Sequence, residues 1–236
     1  MNPLPKALVF DTFGTVVDWR GSIIEEGKVW GKAKGLNVDW ARFAERWRAG
    51  YGPSMEKVRR GELAWTKLDD LHRALLEDLL QEFHIEGLTE AEKDHWNRVW
   101  HRLKPWPDSV PGLTRLKKKF VIAPLSNGNV ALLTNMAKHS GLPWDAILSA
   151  ELARHYKPDR EVYLMAADLL GVKPGETMMV AAHGGDLRAA RGLGLRTGFV
   201  YRPNENGPGG RADKAQPGDF DVVARDILDL AGQLGA

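Results

Sequence analysis

Short apolar runs that end in polar turns recur along this chain, and they constrain its fold more than any other feature. Residues 7–11 read Ala-Leu-Val-Phe-Asp, which predicts a strand buried on both faces. From residue 105 onward, similar runs alternate with helical segments that glycine closes. The predicted strands are 120–125, 146–149, 177–182, 197–201 and 222–223, and the predicted helices are 129–140, 159–170, 187–193 and a last one from 226. This alternation predicts an α/β fold with a parallel sheet.

The stretch 20–104 differs from the rest of the chain. Leucines recur there at helical spacing between residues 68 and 80, and helix stop signals stand near Gly35, Gly50–Pro53, Gly61 and Gly87. Four or five helices are predicted. Seven of the 9 tryptophans fall between 20 and 106, and most are predicted to pack a helical core, with one or two left to line a pocket.

Composition excludes several classes of function. The 33 Lys and Arg residues nearly balance the 31 Asp and Glu residues, so nucleic acid and anionic membranes are not the expected partners. With 0 cysteines, thiol chemistry and Cys-ligated metals are excluded. No apolar run approaches the ~18 residues of a membrane span. The first six residues contain no long apolar segment, and a cytoplasmic protein is expected.

Polar residues follow several of the predicted strands. Asp11, Ser126 and Asp186 stand at strand ends, and Lys157 lies in the turn region after the strand at 146–149. Each signal alone is weak, because helix caps and turns use the same residues. Together they are stronger, since the carboxyl ends of parallel strands meet at one edge of a sheet. A carboxylate nucleophile with a lysine to offset charge needs this setting.

Four segments carry a resemblance to a known family. Asp11–Thr15, Ser126–Gly128, Tyr156–Asp159 and Gly185-Asp186 resemble the four motifs of the haloacid dehalogenase-like hydrolase superfamily. Phe13, Arg48 and Tyr163 make the chain similar to its type II branch, the (S)-2-haloacid dehalogenases. The resemblance implies a Rossmann-like core, residues 1–18 and 105–236, with a helical cap, residues 19–104, inserted after the first strand.

The resemblance also implies a two-step covalent mechanism. Asp11 would displace halide from Cα of a 2-haloalkanoate, and water would then hydrolyse the aspartyl ester to give a 2-hydroxy acid. The resemblance implies that Thr15 and Lys157 hold Asp11, and that Tyr163 supports the region of Lys157. Arg48 would reach the halide or the reacting end of the substrate, and Ser126 and Asn127 would bind the substrate carboxylate. Asp186 would help to activate water.

Phe13 favours carbon–halogen over phosphate-ester cleavage. Related phosphatases resemble Asp-x-Asp, whose second acid protonates the leaving alkoxide, whereas halide leaves without a proton and Phe13 cannot supply one. The second acid of the last motif is also absent, since Ala190 stands four residues after Asp186. No metal and no other cofactor are therefore expected.

The chain departs from the familiar pattern Ser-x-Asn-x-x-Asp, which reads Ala181–Asp186 here. His183 replaces an amide. It is either a hydrogen-bonding substitute or the base for the hydrolytic water, since an imidazole with the usual pKa of about 6.5 titrates near neutral pH. Relatives with histidine here include some that accept small substrates, even fluoroacetate. The other histidines (72, 84, 95, 101, 139, 155) show no metal-ligand spacing and are expected at the surface or satisfied in the core.

Two other functions stay open on the sequence. One is a related hydrolase that opens a strained C–N ring, or a phosphatase that works without the missing acid. The other is a catalytically silent binding protein, which the set Asp11, Lys157 and Asp186 argues against. An apolar face on the tryptophan-rich cap would support a homodimer.

Overall fold

In the computed structural model, which describes residues 4–236, a parallel sheet runs through the chain. Its strands are β1 (Ala7–Phe10), β4 (Val121–Ser126), β5 (Leu148–Ser149), β6 (Thr177–Ala181), β7 (Arg196–Val200) and β8 (Val222–Ala224), and a separate antiparallel pair joins β2 (Val17–Asp18) to β3 (Lys104–Pro105). The six strands lie in the order β5-β4-β1-β6-β7-β8, and every neighbouring pair is parallel. The predicted α/β fold is confirmed.

The described residues also form ten α-helices. They are α1 (Trp19–Lys34), α2 (Trp40–Arg59), α3 (Leu68–Glu82), α4 (Glu90–Asn97), α5 (Ser109–Lys117), α6 (Val130–Ser140), α7 (Ala150–Ala153), α8 (Arg160–Leu169), α9 (Gly184–Gly192) and α10 (Ile227–Gln233), with 3₁₀ turns at Arg98–His101 and Pro174–Glu176. Four of them form the helical stretch after the first strand, as predicted. The sequence did not predict α5, and α9 begins three residues before the expected Leu187.

Burial explains why β1 lies at the centre of the sheet. All four of its residues have no exposed surface, and each pairs with β4 on one side and β6 on the other. The backbone N–H of Asp11 continues this pairing and donates to the carbonyl of Val180 at 2.9 Å. Asp11 is thereby held at the carboxyl edge of the sheet, between the ends of its two neighbouring strands.

The predicted stop near Gly50–Pro53 is wrong, because α2 continues through it to Arg59. A Cβ on Gly50 would lie 2.5 Å from a methyl carbon of Leu75, so this glycine allows α3 to approach α2. Pro53 has no N–H to donate within the helix. The carbonyl left without this donor is that of Ala49, four residues earlier. The hydroxyl of Ser54 donates to the carbonyl of Gly50 at 2.8 Å in the same turn.

The tryptophans of the helical stretch pack against one another, as predicted. Trp30 and Trp96 stack with ring centroids 5.2 Å apart, and Trp47 meets Trp100 edge to face at 5.6 Å. His72 stacks on Trp100 at 4.2 Å, fully buried. Within residues 4–236, neither ring nitrogen of His72 has a hydrogen-bond partner, so the expectation of a satisfied core histidine is wrong for this residue.

Polar contacts join the helical stretch to the sheet. His101 donates from Nε2 to Asp69 Oδ1 at 2.9 Å and accepts at Nδ1 from Asn135 at 3.0 Å, and Asn129 donates to Asp69 Oδ2 at 2.9 Å. The chain enters the helical stretch from β2 and leaves it into β3, and these two strands pair with each other. The domain bounds 1–18 with 105–236 and 19–104 stay a prediction, and their first three residues lie outside the described ones. Within residues 4–236, no helix is long and apolar enough to cross a membrane.

Candidate active site

The carboxyl edge of the sheet brings the predicted charged residues into contact. The Nζ of Lys157 lies 3.0 Å from Asp11 Oδ1 and 2.5 Å from Asp186 Oδ2. The hydroxyl of Thr15 donates to Asp11 Oδ2 at 2.8 Å and accepts from the N–H of Ala182 at 2.9 Å. Loops after β1, β5 and β6 thus meet at one carboxylate, as the parallel sheet predicts.

Charge pairing keeps Asp11 ionised despite its burial. Burial pushes the pKa of Asp11 upward, but the charge of Lys157 and the hydrogen bond from His183 outweigh it, and the net pKa is lowered. Burial likewise opposes the charge of Lys157, while Asp11 and Asp186 hold its pKa above the usual range. A desolvated carboxylate with a free lone pair is a nucleophile in the state that covalent catalysis needs.

Tyr163 lies beside this cluster. Its hydroxyl donates to Asp186 Oδ1 at 2.5 Å, while Asp186 Oδ2 accepts from Lys157. Burial and the charge of Asp186 raise the pKa of Tyr163, so the tyrosine stays a neutral donor. The geometry places Tyr163 where the sequence expected it, next to the Lys157 region, and fixes the orientation of the Asp186 carboxylate.

His183 contacts two carboxylates, one of which the sequence analysis missed. Its Nδ1 lies 2.9 Å from Asp11 Oδ2, and its Nε2 lies 3.0 and 3.1 Å from the two carboxylate oxygens of Glu205. The loop that carries it, residues 204–218, is rich in Gly, Pro and Asn, a composition typical of an exposed loop, yet Glu205 is 5% exposed. One signal could have found it: this loop also follows a strand, β7, at the same edge of the sheet.

The surroundings of His183 raise its pKa above the usual value of about 6.5. Burial lowers the pKa of this imidazole, but the hydrogen bonds and charges of Asp11 and Glu205 outweigh burial and raise the pKa to about 10. His183 is therefore an imidazolium at neutral pH and has no lone pair for a proton from water. The general-base interpretation does not fit the resting site.

A cavity of about 360 Å³ opens above Asp11. Its lining residues are Asp11, Phe13, Arg48, Tyr51, Asn127, Lys157, Pro158, Tyr163, His183, Gly185 and Asp186. Arg48 comes from α2, and its guanidinium carbon lies 4.3 Å above the ring of Tyr51. Its Nη1 is buried and finds no hydrogen-bond partner in the described part of the chain, which leaves a cationic donor available to an anion. Tyr51 was not predicted.

The remaining predicted residues take different positions. Phe13 lines the cavity and meets Tyr51 and Trp100 edge to face. Asn127 also lines it, and its Oδ1 accepts from the backbone N–H of Lys157 at 2.8 Å. Ser126 is fully buried, lies outside the cavity lining, and accepts from the N–H of Gly128 at 3.2 Å. Its predicted contact with substrate stays a prediction.

The donor set does not fit a magnesium ion of the kind that related phosphatases use. Lys157 bridges the two carboxylates that could ligate it, Asp11 and Asp186. The neighbouring positions carry Phe13 and Ala190, and residues 4–236 contain no cluster of three side chains suited to a metal. Mg²⁺ prefers oxygen ligands in octahedral geometry, and the side chains around Asp11 do not supply such a set.

Comparison with known proteins agrees with this geometry. The model of the haloacid dehalogenase-like hydrolases matches residues 5–194. Among curated proteins, the (S)-2-haloacid dehalogenase 4A of Burkholderia cepacia is 29% identical over 209 residues, which cover 84% of this chain and 83% of that one. The (S)-2-haloacid dehalogenase 1 of Pseudomonas sp. strain CBS-3 is 29% identical over 218 residues, 87% of this chain and 88% of that one.

A solved structure shows stronger similarity. The defluorinating L-2-haloacid dehalogenase Rha0230 is 49% identical, superposes with a TM-score of 0.95, and the match covers 98% of this chain and 96% of that one. With the family match spanning most of the chain and the four motifs joined around Asp11, the chain belongs to the haloacid dehalogenase-like hydrolases.

Proposed function

We propose that the protein hydrolyses short (S)-2-haloalkanoic acids to 2-hydroxy acids and releases halide through an aspartyl ester on Asp11. The observation that carries this proposal is an ionised, buried Asp11 next to Phe13, in a cavity with a free cationic donor on Arg48. A phosphate ester would need an acid at the position of Phe13 to protonate its leaving alkoxide. Halide leaves without one.

The hydrogen bonds distinguish the two oxygens of Asp11. Oδ2 accepts from Thr15 and from His183, whereas Lys157 is the one donor to Oδ1 among the described residues. Each carboxylate oxygen has two lone-pair sites, so Oδ1 keeps one free for attack. Oδ1 displaces the halogen at Cα from the opposite side. The new Oδ1–Cα bond replaces the carbon–halogen bond, whose electron pair leaves with the halide.

In the second step water attacks the Cγ of Asp11. Asp186 takes the proton of the water, the Cγ–Oδ1 bond breaks, and Lys157 gives a proton to the departing Oδ1. Asp186 then returns the proton to Lys157, which it contacts at 2.5 Å. The second proton of the water leaves the newly formed carboxyl group of Asp11 for the solvent, and this restores the carboxylate. The 2-hydroxy acid carries the former Oδ1, the oxygen of the water stays on Asp11, and Cα is inverted once.

Cavity groups around Asp11 suit a small anionic substrate. Arg48 offers a buried, unpaired N–H to the departing halide or to the reacting end of the substrate, and Asn127 lies across the same cavity. With the carboxylate of the substrate bound near Asn127, Cα would lie against Asp11. A charged donor such as the guanidinium of Arg48 stabilises an anion more strongly than a neutral donor does.

We include fluoroacetate among the substrates. Fluoride is a poor leaving group and needs strong donors as it departs, and the cavity provides Arg48 for this purpose. The 49% identical neighbour is described as a defluorinating L-2-haloacid dehalogenase, which supports the extension to carbon–fluorine bonds. The proposal also includes a cytoplasmic location and a homodimer. Light scattering would test the homodimer, and cell fractionation would test the location.

Halide release tests the proposal directly. The protein is incubated with chloro-, bromo- and fluoroacetate and with both enantiomers of 2-chloropropionate, and ion-selective electrodes measure the free halide. The native protein should release halide, and Asp11→Asn and Asp11→Ala should release essentially none. The surface variant Asp94→Asn, with a side chain 56% exposed, serves as the control and should match the native protein. Phosphate release from phosphate esters without halide release would refute the proposal.

A further inference from the structure

Glu205 is a buried carboxylate on the far side of His183 from the nucleophile. Its side chain is 7% exposed, although the loop around it is rich in Gly, Pro and Asn. The loop is anchored by Arg202, which forms two hydrogen bonds to Asp108 at 2.7 and 2.8 Å and donates to the carbonyl of Thr15 at 2.8 Å. Trp19 also donates to Glu205 Oε1 at 3.3 Å. The carboxylate is thus held in place.

Gly14 leaves the room that Glu205 occupies. A Cβ at Gly14 would lie 2.0 Å from Glu205 Oε1, and the φ of +84° at Gly14 also disfavours any side chain. Gly14 belongs to the turn that carries Asp11 and Thr15. The nucleophile loop and Glu205 are therefore fitted to each other through the absence of one methyl group.

The imidazole of His183 lies between two groups that only accept hydrogen bonds. Asp11 Oδ2 faces Nδ1 and the carboxylate of Glu205 faces Nε2. A neutral imidazole has one N–H and could serve only one of them. Both contacts are satisfied only by an imidazolium, so the geometry itself requires the cation.

We propose that Glu205 is a positioning residue that keeps His183 an imidazolium through ester hydrolysis, so that His183 donates to Asp11 Oδ2 as negative charge develops there. The inference rests on the proposed function. When Oδ1 becomes the ester oxygen, Oδ2 becomes the ester carbonyl and retains two donors, Thr15 and His183. Water attack on Cγ moves the electron pair of the carbonyl onto Oδ2, where these two donors form an oxyanion hole.

Esterification explains why Glu205 is needed. Asp11 loses its negative charge when the ester forms, and His183 then faces one carboxylate instead of two. Glu205 alone holds the proton on the ring in the step that uses it. The titratable groups in contact with the ring are Asp11 and Glu205. Four others, Arg48, Tyr51, Lys157 and Asp186, line the same cavity. Asp18 lies within electrostatic reach of Glu205, and Arg188 and Asp213 flank the next residue, Gly184.

A titration tests this claim without any turnover. Asp11→Asn imitates the neutral ester carboxyl, and NMR of the His183 ring follows its protonation against pH in Asp11→Asn and in Asp11→Asn/Glu205→Gln. We expect the pKa of His183 to fall by about 1 unit or more when the carboxylate of Glu205 is lost. Asp11→Asn/Glu62→Gln, which changes an exposed glutamate, is the control and should titrate like Asp11→Asn. Equal pKa values in all three variants would overturn the proposal.

Rapid-quench kinetics then tests the consequence for the reaction. Glu205→Gln should release about one equivalent of halide per site at the native rate and hydrolyse its ester about 10-fold more slowly at pH 8.5, less than the ~10²–10³-fold cost of losing a donor outright. The slow phase should recover as the pH falls toward 6, because His183 regains its proton. An equal loss in both steps, or a slow phase indifferent to pH, would contradict the inference. Failure of the native protein to release any halide would refute the proposed function instead, and the titration would still decide the role of Glu205.

Discussion

Replacing Lys157 with methionine would remove the charge that two buried carboxylates share. Asp11 Oδ1 and Asp186 Oδ2 contact the same Nζ at 3.0 and 2.5 Å, so the two oxygens lie no more than 5.5 Å apart, the sum of those distances. At an effective dielectric constant of ~20, two unit charges at that separation repel by about 3 kcal/mol. Removing one partner of a buried ion pair typically costs about 3–5 kcal/mol, because it leaves a buried charge uncompensated.

The assay compares urea unfolding and halide release in Lys157→Met and in Lys104→Met. Lys104 pairs with Glu25 at 2.7 Å, but their side chains are 59% and 62% exposed, and loss of such a pair costs no more than about 1 kcal/mol. In Lys157→Met, burial is no longer opposed by the lysine and raises the pKa of Asp11. Its residual activity should therefore increase with pH, since only ionised Asp11 attacks. Equal losses of stability in the two variants, or a flat pH profile for Lys157→Met, would refute this reasoning.

Three further outcomes are expected. Burial lowers the pKa of His72 to about 3, below the ~6.5 of the unfolded chain. The stability that depends on neutral His72 is therefore complete above pH ~6.5, and the free energy of unfolding falls by up to about 5 kcal/mol as the pH falls toward 3. Urea unfolding of His72→Phe should be less sensitive to acid over that range, and pH profiles identical to those of the native protein would exclude His72 as the cause. Chiral chromatography should show (R)-lactate from (S)-2-chloropropionate and little product from the (R) enantiomer, whereas retention would require another mechanism. Halide release should survive EDTA and gain nothing from Mg²⁺, because Phe13 and Ala190 replace the acids of a metal site, and a strong gain would contradict that interpretation.

The charged centre of the site could be predicted from the sequence because strand ends converge. Asp11, Asp186 and Lys157 are far apart in the chain, yet each follows a strand of one parallel sheet, and the sheet geometry brings them together. Only the family resemblance indicates Arg48, since no periodicity shows which residue of a long helix faces the cavity.

Tertiary packing explains what the sequence analysis missed. Glu205 lies among Gly, Pro and Asn residues that are typical of an exposed loop, and only the fold shows that Gly14 leaves room for its carboxylate. Gly50 and Pro53 are stop signals locally, but the approach of Leu75 makes a glycine necessary inside α2. The pKa of His183 depends on Glu205. A prediction that leaves out Glu205 therefore also assigns His183 the usual pKa and the wrong role.

Isotope labelling of the nucleophile tests the central claim most directly. A single turnover of (S)-2-chloropropionate is run in H₂¹⁸O with enzyme in excess, and mass spectrometry locates the label in the peptide that contains Asp11 and in the lactate. Covalent catalysis predicts ¹⁸O in the carboxylate of Asp11 and unlabelled lactate, because the product carries away the original Oδ1. Label in the lactate alone, with Asp11 unlabelled, would mean that water attacks Cα directly and would contradict the account.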